Sequence, residues 1–170
     1  MKKIFISLFC CAFLGLNPLA AQTWGKGDVK VGGSLSVSAY SGYGDFGLGS
    51  WGEWMLSDAV AIGGGLSINW TSAEKGASSV FMWSVEPRIS YYYPLANRFY
   101  LNPAALVGLG AVDSDLGWKV SVIPQLAYQA SKHWWVHMQL GQLSYGNLFS
   151  NEAVFKLTLN QISFGVAFSF

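Results

Sequence analysis

The sequence predicts an all-β fold, an eight-stranded antiparallel up-and-down transmembrane β-barrel. Three observations predict it. The chain ends on Ile162-Ser163-Phe164-Gly165-Val166-Ala167-Phe168-Ser169-Phe170, where large apolar residues alternate with small or polar ones. That is the period of a strand with two unlike faces. Earlier segments repeat the pattern between short breaks. Finally, the chain is 52% hydrophobic and 16% aromatic but only 11% charged, against about 25% charge in a typical soluble domain. Something other than water must face much of its surface.

The N-terminus reads as an export signal. Lys2 and Lys3 precede an apolar run from Ile4 to Leu16, and Pro18-Leu19-Ala20-Ala21 follows. This charged, apolar, small-residue layout is that of a secretory signal peptide, with cleavage expected after Ala21. The run is shorter than the ~20 residues of a spanning helix. Residues 22–170 then form one domain. Both cysteines, Cys10 and Cys11, leave with the signal, so no disulfide, thiolate metal site or Cys nucleophile is expected. Without Lys2 and Lys3, eight basic residues face nine acidic ones. No basic field exists to attract nucleic acid.

The strands follow in order. Strand one runs from Val29 to Tyr40, with Val31, Leu35, Val37 and Ala39 on one face and Lys30, Ser34, Ser36 and Ser38 on the other. Gly42 to Asp45 turns the chain. Strand two covers Phe46 to Met55 and breaks at Ser57-Asp58. Strand three sets Val60, Ile62, Leu66, Ile68 and Trp70 against Ala61, Gly63, Gly65, Ser67 and Asn69, before a polar loop from Thr71 to Ser79. Strand four, Val80 to Tyr93, alternates Phe81, Trp83, Val85 and Ile89 with Ser84, Glu86, Arg88 and Ser90. Pro94 to Arg98 is a turn.

Strand five carries Leu101, Pro103, Ala105, Val107 and Leu109 on one face, and Asp113 to Gly117 is a loop. Strand six sets Trp118, Val120, Val122 and Leu126 against Lys119, Ser121 and Gln125. Ser131 to His133 turns into strand seven, Trp134 to Tyr145, and Gly146 to Glu152 is the last loop. In strand eight, counting back from Phe170 puts Leu157 and Leu159 on the polar face. A β-bulge near Asn160 would return both to the apolar face. Pro87, Pro103 and Pro124 lack the N–H a ladder needs, so local bulges, or shorter strands, are expected there.

Alternation alone fits a soluble lipocalin-like barrel as well. The polar face decides between them. It is mostly Ser, Gly, Ala, Asn and Gln rather than Lys and Glu, and small side chains suit the crowded interior of a narrow barrel. Large aliphatics and aromatics then face lipid. Trp54, Trp70, Tyr91, Tyr93, Phe99, Trp118, Tyr128 and Trp134 fall near segment ends, where rings settle at membrane–water boundaries.

The signal peptide, the strand–turn–strand Trp54-Met55-Leu56-Ser57-Asp58-Ala59-Val60-Ala61-Ile62-Gly63 and the terminal Phe164-Gly165-Val166-Ala167-Phe168-Ser169-Phe170 carry a family resemblance. Over its whole mature length the chain resembles the small eight-stranded outer-membrane β-barrel family, similar to outer membrane protein X and the membrane domain of outer membrane protein A. The resemblance implies a bacterial outer-membrane location, contact with membrane lipid and lipopolysaccharide, and insertion by the barrel-assembly machinery. By the same resemblance Phe164, Val166, Phe168 and Phe170 form the C-terminal signal that this machinery reads.

Candidate site residues sit on the inward face: Lys30, Glu53, Glu86, Arg88, Lys119 and Gln125. Buried charges must be paired and hydrogen-bonded, so a polar network that plugs the interior is expected. Hairpin counting puts Lys30 diagonally near Glu53, and Arg88 beside Ala104 with Gln125 further across. The alternative use of these charges is a narrow channel or small-solute binder. A lipid-modifying enzyme is a third reading. Its candidates are His133 and His137, which lie at the end away from the outer leaflet, and His137's neighbours Trp135 and Gln139 supply no nucleophile. No HExxH or GxSxG motif appears. The outer loop residues Asp45, Glu74, Lys75, Asp113, Asp115 and Glu152 form a mildly acidic, solvated rim. The expected role is structural or interactive, non-enzymatic and without cofactor or metal. Neither oligomeric state nor a specific partner follows from the sequence.

Overall fold

The computed structural model describes residues 25–40, 43–72, 79–113, 115–148, 152–158 and 163–170, without the side chains of 38–40 and 43. The expected signal peptide, Glu74, Lys75, Leu159 and Asn160 lie outside the described residues. The rest is all-β and antiparallel. The described strands are β1 (Val29–Tyr40), β2 (Tyr43–Met55), β3 (Val60–Ser72), β4 (Val80–Tyr91), β5 (Tyr93–Ala96), β6 (Phe99–Leu101), β7 (Ala104–Val112), β8 (Asp115–Ile123), β9 (Gln125–Gln129), β10 (Trp134–Gln139), β11 (Gln142–Gly146), β12 (Val154–Thr158) and β13 (Ser163–Ser169). These thirteen segments stand where the sequence reading drew eight unbroken strands. They form one sheet in the order β12-β11-β8-β7-β4-β3-β2-β1-β13-β10-β9-β6-β5.

The first four strands run as the alternation predicts, and β1, β2 and β3 pair along nearly their whole length. The extra breaks have local causes. Pro103 separates β6 from β7, and Pro124 separates β8 from β9. The ladders on either side share one register, Leu101 with Leu126 below and Ala104 with Ile123 above. Pro103 therefore falls opposite Pro124, and two missing donors share a single gap. Their carbonyls still work: Tyr91 N–H donates to Pro103 O and Leu140 N–H to Pro124 O, each at 2.9 Å.

Pro87 lies within β4. Its ladder to β7 keeps one register from Val85–Leu109 to Arg88–Leu106 and skips the pairs between. No residue is inserted there, so the expected bulge is replaced by a gap in the ladder.

The true bulge lies across the ladder from Pro124, on the neighbouring strand. Between Gln125 and Val122 are two residues, while their partners Gln139 and Leu143 enclose three. Strand seven is thus split at Leu140-Gly141. Gly141 has φ 140°, which a side chain would resist. The β13 side is irregular as well: Gln139 to Gln142 encloses two residues, and their partners Ser163 to Thr158 enclose four. Leu157, paired with Leu143, lies on the exposed side. The turn expected at Pro94–Arg98 shrinks to Asn97-Arg98, because Tyr93–Ala96 is strand. Asp115 and Leu116 belong to β8 rather than to a loop.

Two faces result. Val31, Leu35, Leu48, Leu66, Val85 and Leu109 are exposed, while their neighbours alternate inward. Inward glycines mark the tightest approaches between strands. A Cβ built on Gly63 would lie 1.9 Å from Gly52 O, whereas one on Gly64, on the opposite face, meets nothing closer than 3.7 Å. Overpacking of this kind costs about 1–3 kcal/mol. Gly63→Ala should lose that much stability in urea unfolding of the detergent-folded protein, followed by tryptophan fluorescence. Gly64→Ala should stay within about 0.5 kcal/mol of the parent. Equal losses would refute the packing argument.

Candidate functional site

The interior is built in layers, named here from the end that carries the short turns at Ser57–Asp58, Asn97–Arg98 and Ser131–His133. The first layer is largely apolar. Met55, Ala61, Tyr92, Ala127, Trp135 and Ala167 are packed together and buried, with Trp51 and Tyr100 against them. Lys30 is fully buried in this layer. Its ammonium lies 3.7 Å from the ring centre of Trp135 and 4.2 Å from that of Tyr92. Cation–π contact of this kind contributes about 0.5–2 kcal/mol, more when dry. Lys30 also donates to Tyr92 Oη at 3.0 Å, and Tyr92 donates in turn to Glu53 Oε2 at 2.7 Å.

Glu53 is the hub. Its Oε1 accepts from Ser90 Oγ at 2.5 Å and lies 2.9 Å from Arg88 Nε. The Arg88 Nε–H is not aligned for a hydrogen bond, so this contact is ionic rather than directed. Arg88 places a terminal nitrogen 3.3 Å from Ser90 Oγ and 3.4 Å from Gln125 Oε1. Its guanidinium carbon sits 5.1 Å from the Trp51 ring centre.

One layer further, Lys119 Nζ lies 2.6 Å from Glu86 Oε1, which also accepts from Ser84 Oγ at 2.6 Å and Ser67 Oγ at 3.0 Å. The candidates therefore form two clusters. Lys30, Glu53, Arg88 and Gln125 meet in one, and Glu86 with Lys119 in the other. The register corrects two expectations. Lys30 stands directly opposite Glu53, and Arg88 stands opposite Leu106 rather than Ala104.

Register also explains how the charges meet. Gly63 is paired with Glu53 on one side and with Arg88 on the other. Gly108 is paired with Lys119, and the β4–β7 register sets it opposite Glu86. Each ion pair thus reaches across an intervening strand over a glycine. A Cβ on Gly108 would come 2.6 Å from Lys119 Cε.

Sequence reasoning did not place Tyr92, Trp51, Trp135 or His137 in this site. The first three sit on inward positions, which alternation gives, but only charged and amide side chains were singled out there. His137 is 5% exposed. Its ring meets Trp51 edge-on at 5.0 Å, and neither ring nitrogen has a hydrogen-bond partner. His133 instead stacks on Phe168 and places Nδ1 2.8 Å from Ser169 O. The terminal strand β13 pairs with β1 on one edge and β10 on the other. Phe164, Val166 and Phe170 are exposed, and Phe168 lies between Trp134 and Phe170.

A strongly two-faced antiparallel sheet, apolar outside and polar inside, defines an outer-membrane β-barrel protein. The outer membrane protein beta-barrel domain family matches residues 6–170, and the chain belongs to that family. Among curated protein sequences none matches. Among solved structures, Neisserial surface protein A shares 13% identity with a TM-score of 0.59, over 84% of this chain and 96% of that one. OprG from Pseudomonas aeruginosa shares 14% with a TM-score of 0.56, over 88% and 98%. Ail from Yersinia pestis shares 11% with a TM-score of 0.54, over 85% and 100%. These likenesses show the fold.

Removing one member of a buried ion pair costs about 3–5 kcal/mol, because the other is left uncompensated. Glu53→Gln should lose that much in urea unfolding. The Glu53→Met, Arg88→Met double variant should be less destabilised than either single change. Losses that simply add would show that the two side chains are not coupled.

Proposed function

We propose that this chain is a structural or interaction protein of the bacterial outer membrane, an eight-run closed barrel whose interior is blocked by its own side chains. The observation that carries the reading is the packed layer of Trp135, Tyr92, Met55 and Lys30, each at most 1% exposed. Two ion-paired clusters lie beyond it. Eight strands leave an interior that side chains can fill.

The pairing supports eight runs. β4 and β5 continue each other in one register against β7 and β6, up to the irregularity at Ala96. β6 with β7, and β8 with β9, do likewise across the opposed prolines. β10 with β11 continue through a bulge. Taken as runs, the sheet order passes through all eight and then returns to the run containing β13. An open sheet has no reason to revisit a strand; a closed one does.

In this reading residues 1–21 are removed as a signal peptide, and residues 22–170 form the barrel with both termini in the periplasm. The barrel-assembly machinery reads Phe164, Val166, Phe168 and Phe170. Lipid and lipopolysaccharide meet the exposed apolar face. The role is not enzymatic: His133 is held by Ser169 O and Phe168, and the rings beside His137, Trp51 and Trp135, supply no nucleophile.

The folded protein should run at a different gel mobility unboiled than boiled. In planar bilayers it should show no stepwise unitary conductance, and Trp135→Ala, which opens the apolar layer, should raise the leak. Regular current steps from the parent protein would defeat the blocked interior.

A further inference from the structure

Beyond the ion-paired clusters the interior is not filled. A cavity of about 130 Å³ reaches from Arg88 and His137 toward the loop end. A second, of about 270 Å³, lies among the strand ends there, lined by Asp45, Thr71 and Lys156. Asn69, Lys119 and Gln142 line both, so the two cavities adjoin at these side chains. One water needs roughly 10–15 Å³ of such space. The deeper cavity therefore has room for a small organic molecule. At its inner end stand Arg88 and His137, and the Trp135 ring lies beyond His137 at 6.5 Å between ring centres.

We propose that this blind well is a binding site for a small uncharged polyhydroxyl solute that enters and leaves by the loop end, with His137 at its base. The proposal rests on the blocked interior argued above. The wall chemistry selects the ligand class. Arg88 faces Glu53, and Lys119 faces Glu86, so the charges are engaged with each other. An entering ion would have to compete with those pairs. The rest of the polar wall is hydroxyls and amides, among them Ser34, Ser36 and Asn69, with Ser163 donating to Gln139 Oε1 at 3.3 Å, groups that both donate and accept.

His137 makes the second, independent argument. It is 5% exposed, lines the cavity and has no hydrogen-bond partner at either ring nitrogen. A buried polar group without a partner is costly. A neutral imidazole offers one donor and one acceptor, and a solute hydroxyl, which does both, can pair with either nitrogen. Trp51 stands beside it and offers an apolar wall for the carbon skeleton.

The chain contains two histidines, which makes the test direct. The full chain, labelled with ¹³C and ¹⁵N at histidine, is folded in amine-oxide micelles, which carry no sugar headgroup. Glycerol and ribitol are titrated in. The His137 ring signals should shift and saturate, on the order of millimolar for so small a ligand, while those of His133 stay in place. Saturation-transfer difference spectra of the same polyols should weaken at least tenfold in His137→Phe, which keeps a ring and removes both nitrogens. Asn69→Leu, at the side chain that lines both cavities, should do the same, and serves if the first variant fails to fold.

A His137 shift that stays linear, or that His133 shares, overturns the proposal. So does saturation by phosphate or acetate without saturation by polyols, or unaltered transfer in both variants. Conductance on the same preparation separates the failures. Unitary steps would sink the blocked interior, whereas silence together with an unmoved His137 would sink the binding well alone.

Discussion

The interior depends on charges that meet across a strand rather than along it. Glu53 and Arg88 lie on β2 and β4, and Glu86 and Lys119 on β4 and β8, so each pair spans an intervening strand. That span is possible because the residue between them is a glycine, Gly63 in one case and Gly108 in the other. A buried carboxylate costs several kcal/mol unless a partner and hydrogen bonds offset its lost hydration. Here the offset is geometric. At Gly108 the absent Cβ leaves space for the Lys119 stem, and at Gly63 it lets the strands themselves approach. Sheets place facing side chains about 5 Å apart on adjacent strands, and only a missing side chain brings second neighbours into contact. Two neighbouring glycines of β3 show the same economy of space from opposite sides: Gly63 abuts backbone, while Gly64, facing outward, is free of close contact.

The outer face obeys a different constraint. It carries the bulky residues, and almost no charge, because in lipid every backbone polar group must be satisfied within the sheet and every side chain must tolerate hydrocarbon. Proline is a hazard under that rule. Setting Pro103 opposite Pro124 confines two missing donors to one site, and both carbonyls still find donors. The same rule accounts for the aromatic residues that reach the surface near strand ends, such as Trp54, Trp70, Tyr93 and Trp134.

Period-two alternation made the faces legible in the sequence, and the inward charges were found on that basis alone. What stayed hidden was whatever depends on register. The bulge at Leu140-Gly141 has no composition signal, since glycine is common throughout the chain. The partner of Glu86 could not be identified, because Lys119 lies two strands away and only the paired ladders place it there. Tyr92 and Trp135 were passed over for a chemical reason. Aromatic rings serve equally at a membrane boundary and in a packed interior, and the residue type does not distinguish them. Position did: Trp134 and Trp135 are neighbours, and alternation sends one outward and the other in.

The seam ties these levels together. β13 hydrogen-bonds to β1 and β10, and these three strands also supply much of the apolar layer: Lys30 from β1, Trp135 from β10 and Ala167 from β13. Trp135 Nε1 donates to Ser169 Oγ at 3.3 Å, one residue before the end of the chain. Before β13 is seated, Lys30 would hold a charge beside an unfilled edge, and Trp135 would lack both Ala167 and Ser169. The last strand thus pairs Lys30 with Ser169 in the ladder and places Ala167 and Ser169 against Trp135, the ring that covers Lys30. An alternating terminal strand does two jobs by its two faces. Its phenylalanines meet the outside, and its small residues, Ser163, Gly165, Ala167 and Ser169, leave room inside for Lys30, Trp135 and their neighbours.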